Sequence, residues 1–146
     1  MADAARKMYF QPSAWSKRYG ESFFTARVSG YTIHHEEGPW CCGPVEHAAF
    51  DIYCSAGERT WIVARRTKAF FDVWSRVRGG LRVDESTATL DAPVLPKKTP
   101  FGRDTSPAFL RQRELELAAF LNALLLQFNA MDDRDARNAV ESFLEV

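Results

Sequence analysis

The stretch Arg59-Thr60-Trp61-Ile62-Val63-Ala64-Arg65-Arg66-Thr67-Lys68-Ala69-Phe70-Phe71-Asp72-Val73-Trp74-Ser75-Arg76-Val77 changes its hydrophobic period partway along. Up to Arg66, Trp61 and Val63 alternate with Ile62 and Ala64, the two-residue period of a β-strand. Beyond it Phe70, Val73, Trp74 and Val77 follow at steps of three, one and three, which is one face of an α-helix. A strand therefore runs into a helix with no linker, and two arginines sit at the joint. Thr67 is expected to cap this helix, and Gly79-Gly80 to stop it.

Working upstream, Ala56-Gly57-Glu58 reads as a turn, preceded by a strand over residues 45–55 in which Phe50, Ile52 and Cys54 alternate. A connection with Gly38, Pro39, Gly43 and Pro44 separates it from another aromatic and β-branched run at residues 23–33. Three strands joined by short connections predict an antiparallel meander. Residues 1–20 show no periodicity and read as an N-terminal arm before a domain spanning 21–146.

Working downstream, residues 81–105 form a long loop punctuated by Pro93, Pro96 and Pro100, a length usually reserved for function. Ser106-Pro107 opens a helix with a cap and a first-turn proline. Its apolar residues Leu117, Phe120, Leu121, Leu124, Leu125 and Phe128 keep helical spacing. A last short helix is expected from Asp133, with Ala136, Val140, Phe143 and Leu144 on one face. The fold class is α+β: a three-stranded antiparallel meander followed by a helical subdomain of three or four helices, with the proline-rich loop between the first two main helices.

Composition agrees with one globular domain. The chain has 146 residues, 46% hydrophobic and 26% charged, which excludes general disorder. Its net charge of +0 conceals a basic middle. Arg59, Arg65, Arg66, Lys68, Arg76, Arg78 and Arg82 are opposed over that span by Asp72 alone, and Lys97, Lys98, Arg103, Arg111 and Arg113 by Asp104. Such a local field attracts anions although the whole molecule is neutral. The unframed cysteines Cys41, Cys42 and Cys54 point to a reducing, cytosolic setting. The N-terminus has no continuous apolar run of a secretory leader, and no stretch approaches the roughly 18 apolar residues of a spanning helix. Any encounter with a membrane is expected to be peripheral, from the cytoplasmic side.

No enzyme is expected. The sequence lacks a phosphate-binding glycine loop, a Gly-x-Ser-x-Gly elbow and a His-Glu-x-x-His pair, so no catalytic residue and no cofactor is assigned. His34, His35 and His47 lie near Cys41 and Cys42, but without metal-site spacing, so no metal is expected. The acidic C-terminal third and the absence of a nucleic-acid motif argue against nucleic acid. What remains is an anion site. Arg65-Arg66 stands where a helix N-terminus already favours negative charge, and arginine can grip phosphate oxygens in pairs. Pro93-Val94-Leu95-Pro96-Lys97-Lys98 holds two lysines on a proline-stiffened loop, and Arg113 lies at the edge of the long helix's apolar face.

These elements, in this order, resemble the phox-homology (PX) family: a three-stranded meander, a strand ending in paired arginines before a helix, and a proline-rich loop ending in lysine. Then comes a helix carrying Arg113, Leu117, Phe120-Leu121 and Leu124, and a closing helix with Val140 and Phe143-Leu144. The resemblance runs from about Phe23 to Val146. It implies a membrane-targeting module for phosphoinositide headgroups, most often phosphatidylinositol 3-phosphate on endosomal membranes. It further implies that Arg66 grips the 3-phosphate, Lys98 or its neighbour Lys97 the 1-phosphate, and Arg113 the inositol hydroxyls. Val94, Leu95 and Phe101 are the implied membrane-inserting residues. Thr67 departs from the family, which usually has an aromatic there to carry the inositol ring. On a second reading the lipid site is vestigial and Pro93 to Lys98 is a proline-rich ligand for a protein partner.

Overall fold

The computed structural model of the chain describes residues 6–38, 40, 43, 45–81, 92–98 and 105–146. The strand-to-helix switch lies where the sequence puts it. Strand β4 (Arg59–Arg66) passes directly into helix α1 (Thr67–Val77), with Arg66 as the N-cap residue in an extended conformation. The cap is thus one residue earlier than expected: Thr67 is already helical, and no side chain caps the first turn. The helix ends in a 3₁₀ turn at Arg78–Gly80, the expected glycine stop.

β4 is an edge of a four-stranded sheet ordered β1-β2-β3-β4. β2 (Phe23–Glu36), β3 (Val45–Ala56) and β4 form the antiparallel meander read from the sequence. A two-residue turn at Gly57-Glu58 joins β3 to β4, with Gly57 at φ 63°, the left-handed region that a tight hairpin asks of its first central residue. Helices α2 (Pro107–Phe128) and α3 (Arg134–Leu144) complete an α+β fold.

The helices cover one face of the sheet. Phe24, Ala26 and Val28 of β2, Phe50, Ile52 and Cys54 of β3 and Val63 of β4 are buried beneath them. All six apolar residues expected on α2 are buried, as are Ala136, Val140, Phe143 and Leu144 of α3. Phe120 is wedged between α1 rings, edge-on to Phe70 at 6.3 Å and to Trp74 at 5.8 Å. The opposite sheet face, with Arg27, Tyr53 and Ile62 side by side across three strands, is exposed.

Two features were hidden in the sequence. The alternation of β2 breaks at a β-bulge between Val28 and Tyr31, where Gly30 takes φ 94°. The N–H of Gly30 donates to the Glu114 carboxylate of α2, so a helix side chain fills the place of the lost ladder bond. Beyond the bulge the parity reverses and Tyr31 turns inward, edge-on to Phe50 at 6.2 Å.

The second is a fourth strand within the segment read as an arm. β1 (Met8–Tyr9) pairs parallel with β2, and Tyr9 is buried. A two-residue strand is too short to show periodicity, and it holds because side chains clip it. Asn129 Oδ1 accepts from the Tyr9 N–H at 2.7 Å and its Nδ2 donates to the Tyr9 carbonyl at 2.8 Å, so one amide stands in for a neighbouring strand. Arg137 donates to the Lys7 carbonyl and, at 2.8 Å, to that of Phe128. Burial pushes the Tyr9 phenol up to about 12.

Candidate functional site

At the joint between β4 and α1 a cavity of about 430 Å³ opens, within the roughly 300–1,000 Å³ of small-ligand sites. The start of α1 supplies Arg66, Thr67, Lys68, Phe71 and Asp72. The steps from Thr67 to Phe71 and from Lys68 to Asp72 are each one helical turn, so these four side chains share one side of the helix. The opposite side carries Phe70, Val73 and Val77 into the core, which fixes how α1 is rotated and hence what it shows the cavity. His47, Ala48 and Phe50 of β3 form a further wall. Lys98 comes from the proline-rich loop, and Thr105, Phe109, Leu110 and Arg113 come from α2 and the residues before it.

Four cations, Arg66, Lys68, Lys98 and Arg113, thus line one space together with a single acid, Asp72. The first-turn N–H groups of α1, left without a side-chain cap, add a partial positive charge at the same place. Lys98 and Arg113 are each held against an aromatic ring: Lys98 Nζ lies 5.0 Å from the Phe71 centroid, and Arg113 Cζ 4.9 Å from that of Phe109. They differ in freedom, since Arg113 is 6% exposed and Lys98 is open to solvent. His47 stacks on His34 at 5.4 Å and meets Glu36 at 3.8 Å, and Thr105 donates to Glu46 at 3.1 Å, tying the outer end of β3 to the start of α2.

Of the residues singled out from the sequence, Arg66, Thr67, Lys98 and Arg113 line this cavity. Arg65 does not. Its side chain lies on the helix-covered face of β4, across from Phe50, but runs to α3, where Nε donates to the Phe143 carbonyl at 2.9 Å and a terminal nitrogen meets Glu145 at 3.3 Å. Lys97 lines an adjoining groove with Val94, Leu95 and Glu116, which shares Phe109 and Arg113 with the cavity. Val94 is 72% exposed, whereas Leu95 packs in part against the core. Phe101, Cys41 and Cys42 lie outside the described residues. Pro93 and Pro96 are buried, so the face that a proline-binding domain would need is turned inward. The remaining cysteine, Cys54, is buried on β3, and desolvation pushes its thiol up to about 12.

Sequence reasoning passed over Phe71 and Phe109, and weighed His47 as a metal ligand rather than as a wall of this cavity. Phe71 could have been found by counting one turn on from Thr67, and Phe109 by counting back one turn from Arg113. His47 carried no signal, because only strand pairing brings it here. Trp40, in the connection between β2 and β3, is 99% exposed.

No family model and no curated protein matches the sequence. Solved structures do. The chain is similar to a designed CISK-PX domain, with 20% sequence identity over 83% of this chain and 98% of that one, at a TM-score of 0.57. The fold is that of a PX domain. A second similar structure is the mouse SNX19 PX domain with a bound sulphate ion, at 17% identity, 83% and 94% coverage and a TM-score of 0.53. The PX fold accounts for the order of elements. Among the described residues no helix is long and apolar enough to cross a membrane.

Proposed function

We propose that this chain is a phosphoinositide-binding, membrane-targeting module, with phosphatidylinositol 3-phosphate on endosomal membranes as its principal target. The observation that carries this reading is the convergence of Arg66, Lys98 and Arg113, far apart in the chain, on one cavity beside the N-terminus of α1. In this reading Arg66 binds the 3-phosphate with its planar fork, next to the uncapped N–H groups of α1. Lys98, on an exposed and flexible stem, serves as a point charge for the 1-phosphate that joins the headgroup to its lipid. Arg113, buried and held on Phe109, has the fixed orientation that hydroxyl recognition requires. A PX domain with a bound sulphate ion exists among the similar structures, which is consistent with an anion site in this fold. In this reading Val94, exposed among the described loop residues, enters the bilayer, where its burial contributes on the order of 1–2 kcal/mol.

The test is titration of the purified protein with liposomes carrying each phosphoinositide in turn, against plain phosphatidylcholine. Selective binding to phosphatidylinositol 3-phosphate is expected. Retention by none of the liposomes, from a cooperatively folded protein, overturns the reading.

Two further results are expected. Raising the salt from about 0.1 M to about 1 M shortens the screening length from about 10 Å to about 3 Å, so liposome binding falls severalfold; affinity unchanged by salt contradicts an electrostatic site. Arg65→Ala loses the bonds to Phe143 and Glu145 and lowers stability by roughly 1–2 kcal/mol, while liposome binding stays at the wild-type level. A binding defect in that variant at unchanged stability places Arg65 in the site after all.

A further inference from the structure

At position 67 the cavity offers a methyl and a hydroxyl, which give a flat polyol ring little to rest on. One helical turn further, on the same side of α1, is the half-buried ring of Phe71. In the ligand-free protein that ring is not bare, because the ammonium of Lys98 lies 5.0 Å from its centroid. We propose that Phe71 is the apolar platform for the ligand's inositol ring, moved one turn along α1 from position 67, and that Lys98 covers it until a phosphate draws the ammonium away. This rests on the phosphoinositide reading and assigns two residues of that site a role beyond it.

The physical case is an exchange. A lysine over an aromatic face gains a weak attraction when it remains near water. A charge-assisted bond to phosphate is stronger, and Lys98 sits on an exposed, flexible stem, so the swap favours the phosphate. The uncovered face carries the negative side of the ring quadrupole, which suits the polarised C–H groups of a cyclitol. Arg113 shows the contrast: it is 6% exposed on Phe109 and stays in place, so only one of the two aromatic faces becomes available. A polyol without phosphate cannot draw Lys98 off, so the platform is reserved for phosphorylated rings.

The experiment uses short-chain dioctanoyl phosphatidylinositol monophosphates and free myo-inositol, with affinity read by calorimetry and the inositol ring protons by NMR. The wild-type complex is expected to shift those protons upfield, as an aromatic face above them requires, and myo-inositol to remain unshifted. Phe71→Leu is expected to weaken binding on the order of tenfold and Phe71→Tyr by no more than about threefold, the scale of an aromatic contact. Thr67→Tyr added to Phe71→Leu restores affinity, because it returns a ring to the other end of the same turn. A folded Phe71→Leu protein that binds as tightly as wild type overturns the proposal and leaves the phosphoinositide reading standing. An unshifted wild-type complex does the same, however the variants fold. Failure of the wild type to bind any monophosphate overturns both.

Discussion

Arg66→Ala is expected to abolish binding to phosphoinositide liposomes and to leave the melting temperature within about 2 °C of wild type. The two halves of that result have separate causes. Arg66 is exposed, and its part in folding is confined to the backbone, which stands in extended conformation as the N-cap of α1. Alanine can adopt the same dihedral angles, so the helix start survives. Binding does not survive. Removing one partner of a desolvated charge pair costs about 2–5 kcal/mol, which exceeds what Lys68 and Lys98 can restore from elsewhere on the cavity wall. A folded Arg66→Ala protein that sediments with liposomes as wild type does refutes the role given to Arg66.

The largest effect on stability is expected from Phe120→Ala, about 3–5 kcal/mol in urea denaturation, with Leu117→Ala in a range of roughly 2–5 kcal/mol. Both side chains are fully buried, and Phe120 is the contact through which α2 holds α1, by way of Phe70 and Trp74. A ring-sized cavity there also loosens the helix whose opposite side forms the proposed lipid site. Headgroup affinity should therefore fall together with stability in Phe120→Ala, and it should fall alone in Arg66→Ala. A loss below 1 kcal/mol in either core variant would mean that α2 is rotated differently from the packing described.

The elements legible in the sequence were those whose own residues carried the period. α2 and α3 present long apolar faces, and the β4–α1 switch is written in two periods side by side. Ser106 and Asp133 stand as N-cap residues where the sequence put the starts of α2 and α3, but the cap of α1 and the bulge of β2 were not legible. The N-cap fell on Arg66 because the helix starts directly from the strand's last extended residue, although threonine is the better capping side chain. The β2 bulge depends on Glu114, distant in sequence, and β1 depends on Asn129 and Arg137. The site divides in the same way. Arg66, Lys98 and Arg113 could be named from motif order, whereas Arg65 is drawn off by the end of α3, a partner distant in sequence. His47 could not be named, since nothing local to it points at a cavity.

The clip on β1 also bears on how the domain carries load. Lys7 Nζ donates to the Val146 carbonyl at 3.1 Å, so the two ends of the described chain leave from the same corner. Tension pulling those ends apart falls first on β1, on the Asn129 amide that mimics a strand and on the last turn of α3. Arg65, one residue before the cavity-lining Arg66, is bonded to that last turn at the Phe143 carbonyl and at Glu145. A tug along the polypeptide thus strains β1 and its clip first, and passes through Arg65 to the joint that holds the cavity.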